Sequence, residues 1–330
     1  MPTQIPPAQT PESLQHLAIQ DHLTFHLGDG TGNHDLVEAR ITTPASEATV
    51  LLQGAHLTRW NPAGTQPVIY VSPRSAFAPG KPVRGGIPVL YPWFAAGWDN
   101  QHQPMHGFAR ITEWTVHSTH LDPTGDVHLT LTLPSTPDLQ HAGYGNCAAT
   151  IHFVIGADLA ITLEVTNHGT APITFEEGLH TYFAIGDIHQ TTTEGLQGTT
   201  YLDKRDNFAK KVQTDRLLHY TRDVDQVHLS TASPLTIHDA SNHRDIHVVK
   251  GGSDTTVTWN PWSVMTPTLP DLAPDSWQHF VCVETVNAAD NRITLAPNQT
   301  HRMSSTLHIT KTTQHEGSGD HNGTTQMSLQ

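Results

Sequence analysis

Short runs in which apolar residues alternate with Thr, His, Glu or Ser recur along most of the chain, and they constrain the fold more than any other feature. VHLTLTL at 127–133, ATIHFVI at 149–155 and LAITLEVT at 159–166 change character at nearly every residue. That is the period of a strand with one face on a core and the other toward water. LVEARIT (36–42), ATVLLQG (48–54), APITFEE (171–177), DIHVVK (245–250), TVTWN (256–260), HFVCVET (279–285) and RMSSTLHIT (302–310) extend the set. Between the runs stand GDGTGN, NPAG, DPTGD, NHGTAP and DASNH, whose Gly, Pro, Asn and Asp supply turns. Long amphipathic patterns are almost absent, so the spacing predicts an all-β fold, a large antiparallel sandwich or barrel.

No change of composition and no fixed-period repeat divides the chain, which predicts one domain from residue 20 to residue 311. The Pro- and Gln-rich start, MPTQIPPAQTPE, and the polar end, TTQHEGSGDHNGTTQMSLQ, carry too little apolar surface to offset ordering entropy. Residues 1–19 and 312–330 are therefore expected to be disordered tails.

With 17 Lys and Arg against 31 Asp and Glu, the formal net charge is −14. That balance argues against nucleic acid or an anionic membrane as partner, since both need clustered basic residues. A small anion is different: over a Debye length of about 8 Å, two nearby arginines set the field it feels. Without an apolar leader or a run of about 18 apolar residues, the expectation is a cytoplasmic protein. Cys147 and Cys282 are too few and too far apart to suggest a disulfide framework, and are expected to be reduced and buried. The 25 histidines are scattered, and Pro104 between His102 and His106 opposes the helix that their spacing would need, so no metal is expected.

Four segments carry candidate chemistry. In RGGIPVLYPWF (84–94), Gly85 and Gly86 allow close backbone approach, and Tyr91, Trp93, Phe94 and Trp98 could wall a sugar pocket. In HGFAR (106–110), Arg110 joins Arg84 as a second permanent cation with a planar fork suited to phosphate. In EEGLHTYFAIGDI (176–188), His180 would share a strand face with Gly178 and Tyr182, where it could titrate near neutrality as a general acid. In HFVCVET, alternation places Phe280, Cys282 and Glu284 on one face, and a carboxylate beside apolar surface becomes a better base. Each residue alone also has an ordinary structural reading, as a core ring, a surface ion pair or an exposed strand end.

Together, RGGIP, PWF, HGFAR, LHTYFAIGDI, GLQGTTYLDK, WNPW and FVCVET, in this order from about residue 53 to 309, closely resemble the hexose-6-phosphate 1-epimerases of the aldose 1-epimerase superfamily. The resemblance implies a galactose mutarotase-like β-sandwich that interconverts sugar anomers without a cofactor. It implies His180 as general acid and Glu284 as general base, with Arg84, His106, Arg110 and Asp203 binding a sugar phosphate. Some relatives have Gln before HGFAR; Met105 stands there here, leaving Gln103 as a possible substitute. The implied partner is a small sugar phosphate bound by a monomer. The alternatives are a mutarotase of unphosphorylated aldoses and a non-catalytic carbohydrate-binding sandwich.

Overall fold

The computed structural model describes residues 9–28 and 35–312. The strand pattern emerges as antiparallel sheets. One has nine strands in the order Leu217–His219, Thr191–Glu194, Leu235–Asp239, Arg244–Gly251, Thr300–Lys311, Leu159–Asn167, Cys147–Ile155, Val127–Leu133 and Thr115–Leu121. A second runs Ala209–Val212, Thr200–Asp203, Val224–Leu229, Thr255–Asn260, Phe280–Asn287, Glu177–Leu179 and Val89–Leu90, with Tyr182–Ala184 also paired to Phe280–Asn287. Four strands from Leu23–Leu27 to His56–Pro62 form a third sheet.

One apolar cluster joins the three sheets. Leu129, Phe153, Ile161 and Leu307 enter it from the nine-stranded sheet, Val89, Leu179, Val281 and Val283 from the second, and Ile41, Val50 and Trp60 from the third. The sandwich is therefore held by the inner faces of its sheets, as the alternation predicts. In Val127–Leu133 and Leu159–Asn167 every second side chain is buried, and Thr, Glu and His occupy the other positions. Phe280–Asn287 differs because all eight of its residues are buried. Val281 and Val283 face the shared core, while Phe280 and Cys282 face a smaller cluster with Tyr182 and Leu272 on the outer side of the sheet.

Two expectations are corrected. Residues 9–19 are not a free tail: Leu14 is buried, Gln9 Oε1 accepts from Val116 N, and Ile19 bridges Leu23. Residues 1–8, 313–330 and most of GDGTGN lie outside the described residues. APITFEE is not one strand. Ile173–Phe175 pairs with Ile293–Leu295, whereas Glu177–Leu179 joins the second sheet. Glu176 marks the switch, its carboxylate accepting from Phe94 N at 3.0 Å and Ala289 N at 2.9 Å. Among the described residues no helix is long and apolar enough to cross a membrane.

A buried ion pair anchors the strand behind the candidate site. Arg244, at 3% exposure, donates to Asp239 Oδ2 at 2.9 Å, and its remaining nitrogens donate to the carbonyls of Gln66, Pro67 and Ala184. Removing one member of such a network leaves a buried charge and several carbonyls unpaired, which typically costs about 3–5 kcal/mol. Arg244→Met is expected to lose that amount in urea unfolding at neutral pH; a loss below about 1 kcal/mol would show that water replaces the network.

Candidate active site

The outer face of the second sheet carries a cavity of about 230 Å³ lined by Arg84, Phe94, Met105, His106, Arg110, His180, Lys204, Asp225, Trp259 and Glu284, among others. Its volume is below the roughly 300–1,000 Å³ of pockets for drug-sized ligands and suits a single sugar ring. A roomier groove of about 500 Å³ over the four-stranded sheet is lined by Glu38, Arg40, Glu47 and Arg59, whose charges are paired with one another.

Register brings the proposed acid and base together. Leu179 pairs with Thr285 and Tyr182 with Cys282, so one register continues across the break at residues 180 and 181 and sets His180 opposite Glu284. His180 Nδ1 lies 3.4 Å from Glu284 Oε1, without a hydrogen bond between them, and Glu284 Oε2 has no partner. The His180 N–H donates to Pro88 O at 3.0 Å, in line with the pairing of Leu179 and Val89, and so ties His180 to the RGGIP segment. The ring stacks on Tyr182 with centroids 4.8 Å apart and planes 9° from parallel. Glu284 is 1% exposed rather than a solvent-facing strand end.

Burial moves both groups away from their ordinary protonation. The Glu284 carboxyl is pushed well above the carboxylate range, first by loss of water and then by Asp225. His180 is pushed well below its usual value by burial and by the charges of Arg84 and Arg110. The pair therefore favours one proton held on Glu284 beside a neutral imidazole. This is the proton count an acid–base pair needs, with the proton on the wrong partner for ring opening.

The cations come from the loop of RGGIP and from two short 3₁₀ helices, Ala109–Ile111 and Lys204–Asp206. Gly85, at φ +105°, lies so close to Tyr70 O that a Cβ would stand 2.5 Å from it, and this approach sets the path of RGGIP. Arg84 Nε donates to Asp271 Oδ2 at 3.0 Å, and Nη1 donates to the Tyr182 hydroxyl at 3.1 Å. Burial alone would lower the Arg84 pKa, but those two partners hold it above normal. Arg110 donates through Nη2 to Met105 O at 2.7 Å, while its buried Nε has no partner. Burial and the facing Arg84 lower its pKa to about 10. Lys204 reaches Asp225 at 3.2 Å and stands 5.4 Å over the Phe94 ring.

His106 Nδ1 accepts from Ala95 N at 3.2 Å, which leaves the proton on Nε2 as a donor. Burial and the neighbouring Arg110 hold its pKa well below the ordinary histidine value. It therefore acts as a neutral hydrogen-bonding group. Gly107, with φ +75° and Tyr91 O in the place of a Cβ, keeps this turn tight.

The match covers residues 38–308 for the family model described as Aldose 1-epimerase. The chain belongs to the aldose 1-epimerase family. A candidate glucose-6-phosphate 1-epimerase of Escherichia coli (strain K12) is 35% identical over 249 residues, 76% of this chain and 82% of that one. A protein of the same description from Cenchrus ciliaris is 27% identical over 264 residues. The crystal structure of a candidate mutarotase from Salmonella typhimurium superposes with a TM-score of 0.81 at 30% identity, covering 89% of this chain and 95% of that one. The galactose mutarotase-like sandwich is thereby established, and this epimerase is an isomerase of sugar anomers.

Several details of the epimerase depart from the expectations. Asp203 does not line the cavity: its carboxylate is taken by Arg205 N, Lys211 and Arg222, and it is 1% exposed. It positions the turn that presents the adjacent Lys204. Of the four proposed wall aromatics only Phe94 lines the cavity; Tyr91 and Trp93 belong to the shared core, and Trp98 is 40% exposed beside a neighbouring groove. Trp259 supplies the missing ring, from the strand TVTWN. Met105 lines the cavity and Gln103, exposed, does not replace it. Cys147 is half-buried rather than buried. Lys204 and Trp259 lie within GLQGTTYLDK and WNPW but were given no role there, and Asp225 had no sequence signal; only pairing across the sheet turns the three toward one cavity.

The rest of WNPW, after Trp259, is scaffolding. Asn260 Nδ2 donates to Trp277 O at 2.9 Å and Phe280 O at 2.8 Å, fixing the start of the strand that carries Glu284.

Proposed function

We propose that the epimerase interconverts the α and β anomers of a hexose 6-phosphate, with glucose 6-phosphate as the principal substrate. The observation that carries this reading is the set of cations Arg84, Arg110 and Lys204 in the same cavity as the His180–Glu284 pair. In an acidic chain, two guanidiniums that depress a neighbouring histidine and leave one buried N–H unpaired create a demand for an anion. Asp271 and Asp225 already face Arg84 and Lys204, so Arg110 is the cation that a neutral hexose would leave without a counter-charge.

In the mechanism that follows, Arg110 and Arg84 hold the phosphate, and His106 Nε2–H donates to a sugar oxygen. Glu284, as carboxylate, removes the proton of the anomeric hydroxyl, and His180 delivers one to the ring oxygen, so that the ring C–O bond breaks and a free aldehyde forms. Rotation about C1–C2 followed by the reverse transfers closes the ring to the other anomer. The bound phosphate does more than anchor the open chain. Carrying about −1.5 to −2 charges at neutral pH, it offsets the arginines and so favours the charged imidazolium and moves the shared proton onto His180.

The decisive experiment is relaxation of freshly dissolved α-glucose 6-phosphate toward anomeric equilibrium, followed by polarimetry or NMR. Acceleration of glucose 6-phosphate well above that of glucose supports the reading. Equal acceleration favours a mutarotase of free aldoses, and none, by folded protein, leaves a sugar-binding module.

A pH prediction follows with a definite sign. Two protons on the pair leave no base and none leaves no acid, so the rate is bell-shaped. A bound anion raises both apparent pKa values, so both limbs of kcat are expected at higher pH than those of kcat/KM. Coinciding limbs, measured across pH 5 to 9 or so, would disprove the electrostatic coupling of phosphate to His180.

A further inference from the structure

Beneath the acid–base pair lies a group with no part in the mechanism. Cys282 precedes Glu284 by two residues on the same strand face, is fully buried, and stands in register with Tyr182. One donor atom from each of His180, Cys282 and Glu284 falls within 4.8 Å of the others, and this is the one such trio of His, Cys, Asp or Glu among the described residues. Two of these groups also present buried atoms with no hydrogen-bond partner, His180 Nδ1 and Glu284 Oε2.

We infer that His180 Nδ1, Cys282 Sγ and a Glu284 oxygen form a latent three-ligand site for a thiophilic divalent cation, Zn²⁺ fitting best, whose occupation silences the epimerase. Tetrahedral zinc with bonds of about 2.0–2.3 Å sets its ligand atoms about 3.3–3.6 Å apart. The 3.4 Å between His180 Nδ1 and Glu284 Oε1 already meets that spacing. From the 4.8 Å limit Sγ has to close in by at most about 1.2–1.5 Å, within reach of a side-chain rotation. A sulfur, a nitrogen and a carboxylate oxygen select zinc over magnesium or calcium, which prefer oxygen alone.

On binding, the Cys282 S–H bond breaks and Glu284 gives up the proton that the pair holds; both protons leave to solvent and a Zn–S and a Zn–O bond form, with no change of oxidation state. The thiolate and the carboxylate balance the two charges of the metal, so that a neutral unit replaces them beside Arg84 and Arg110. The fourth position faces the cavity and is left to water or a sugar hydroxyl. His180 Nδ1 and Glu284 then have their lone pairs on the metal and cannot exchange protons with the sugar. The binding site stands on geometry alone; the inhibition rests on the catalytic reading above.

The test uses Co²⁺ as a spectroscopic probe and Zn²⁺ as inhibitor, on the full chain and on Cys282→Ser and Cys282→Ala. The wild type is expected to show a near-ultraviolet thiolate-to-cobalt band that saturates with one equivalent and is bleached by Zn²⁺. Zn²⁺ should inhibit its mutarotation, reversibly by chelator, with at least about tenfold loss of sensitivity in both variants, which keep activity without metal. Surface histidines, such as the His128–His152 pair 3.2 Å apart, can bind cobalt but give no thiolate band. Absence of the band, or its persistence in the folded variants through Cys147, overturns the site. Equal zinc sensitivity of variants and wild type overturns the inhibition. Because the cobalt band needs no turnover, the site is decided even if the protein fails to accelerate any sugar.

Discussion

Glu284→Gln is expected to lower the mutarotation rate of glucose 6-phosphate by about 10²- to 10⁴-fold, the usual contribution of one positioned proton transfer. Glutamine keeps the shape and can stay buried opposite His180, so the loss should fall on kcat, with KM within a few fold. The same substitution should leave the protein more stable at neutral pH. Glu284 binds its proton more tightly in the folded than in the unfolded chain, because burial raises its pKa. A raised folded-state pKa contributes stability below the unfolded value, near 4.5, that is lost as pH rises through the folded value. An amide cannot ionise and escapes that loss. A variant that is inactive and more thermostable at neutral pH than at acid pH relative to wild type would fit a buried base; an active Glu284→Gln would remove it from the mechanism. The trade of stability for a strained polar group is common at catalytic sites.

Arg110→Ala is expected to separate substrates rather than abolish turnover. A hydrogen bond to a charged partner contributes about 1.5–3 kcal/mol, so kcat/KM for glucose 6-phosphate should fall by about tenfold to 150-fold. Activity on glucose should be unchanged or higher. The reason is electrostatic: Arg110 is one of the charges that depress the His180 pKa, and a neutral sugar brings no anion to offset it. Removing the guanidinium makes His180 easier to protonate for the substrate that needs it most. Parallel relaxation assays on the two sugars read this directly, and equal losses on both would mean that Arg110 organises the cavity rather than recognising phosphate.

Much of this was legible before any coordinates. The alternation in VHLTLTL, ATIHFVI and LAITLEVT located three adjacent strands of the nine-stranded sheet, because a half-buried strand writes its period directly into the chain. Shorter or more polar strands, such as TTTE at Thr191–Glu194 and AKKV at Ala209–Val212, carry no such signature and form only because a neighbouring strand accepts their ladder. Cys282 and Glu284 were placed on one face by alternation alone. Asp203 was expected on the substrate from the resemblance of GLQGTTYLDK, whereas the fold brings Lys211 and Arg222 onto its carboxylate, contacts that the motif does not encode.

The sequence by itself determined the fold class, the family, and the types of group available: a histidine, a glutamate and arginines rare enough in this chain to attract notice. Only the tertiary structure decided that they meet. His180 and Glu284 stand about a hundred residues apart, and register between two antiparallel strands, which is a property of pairing and not of either segment, puts them 3.4 Å from each other. Their protonation was equally beyond the chain alone, since burial and the field of Arg84 and Arg110 arise only after the loops that carry them converge on the sheet.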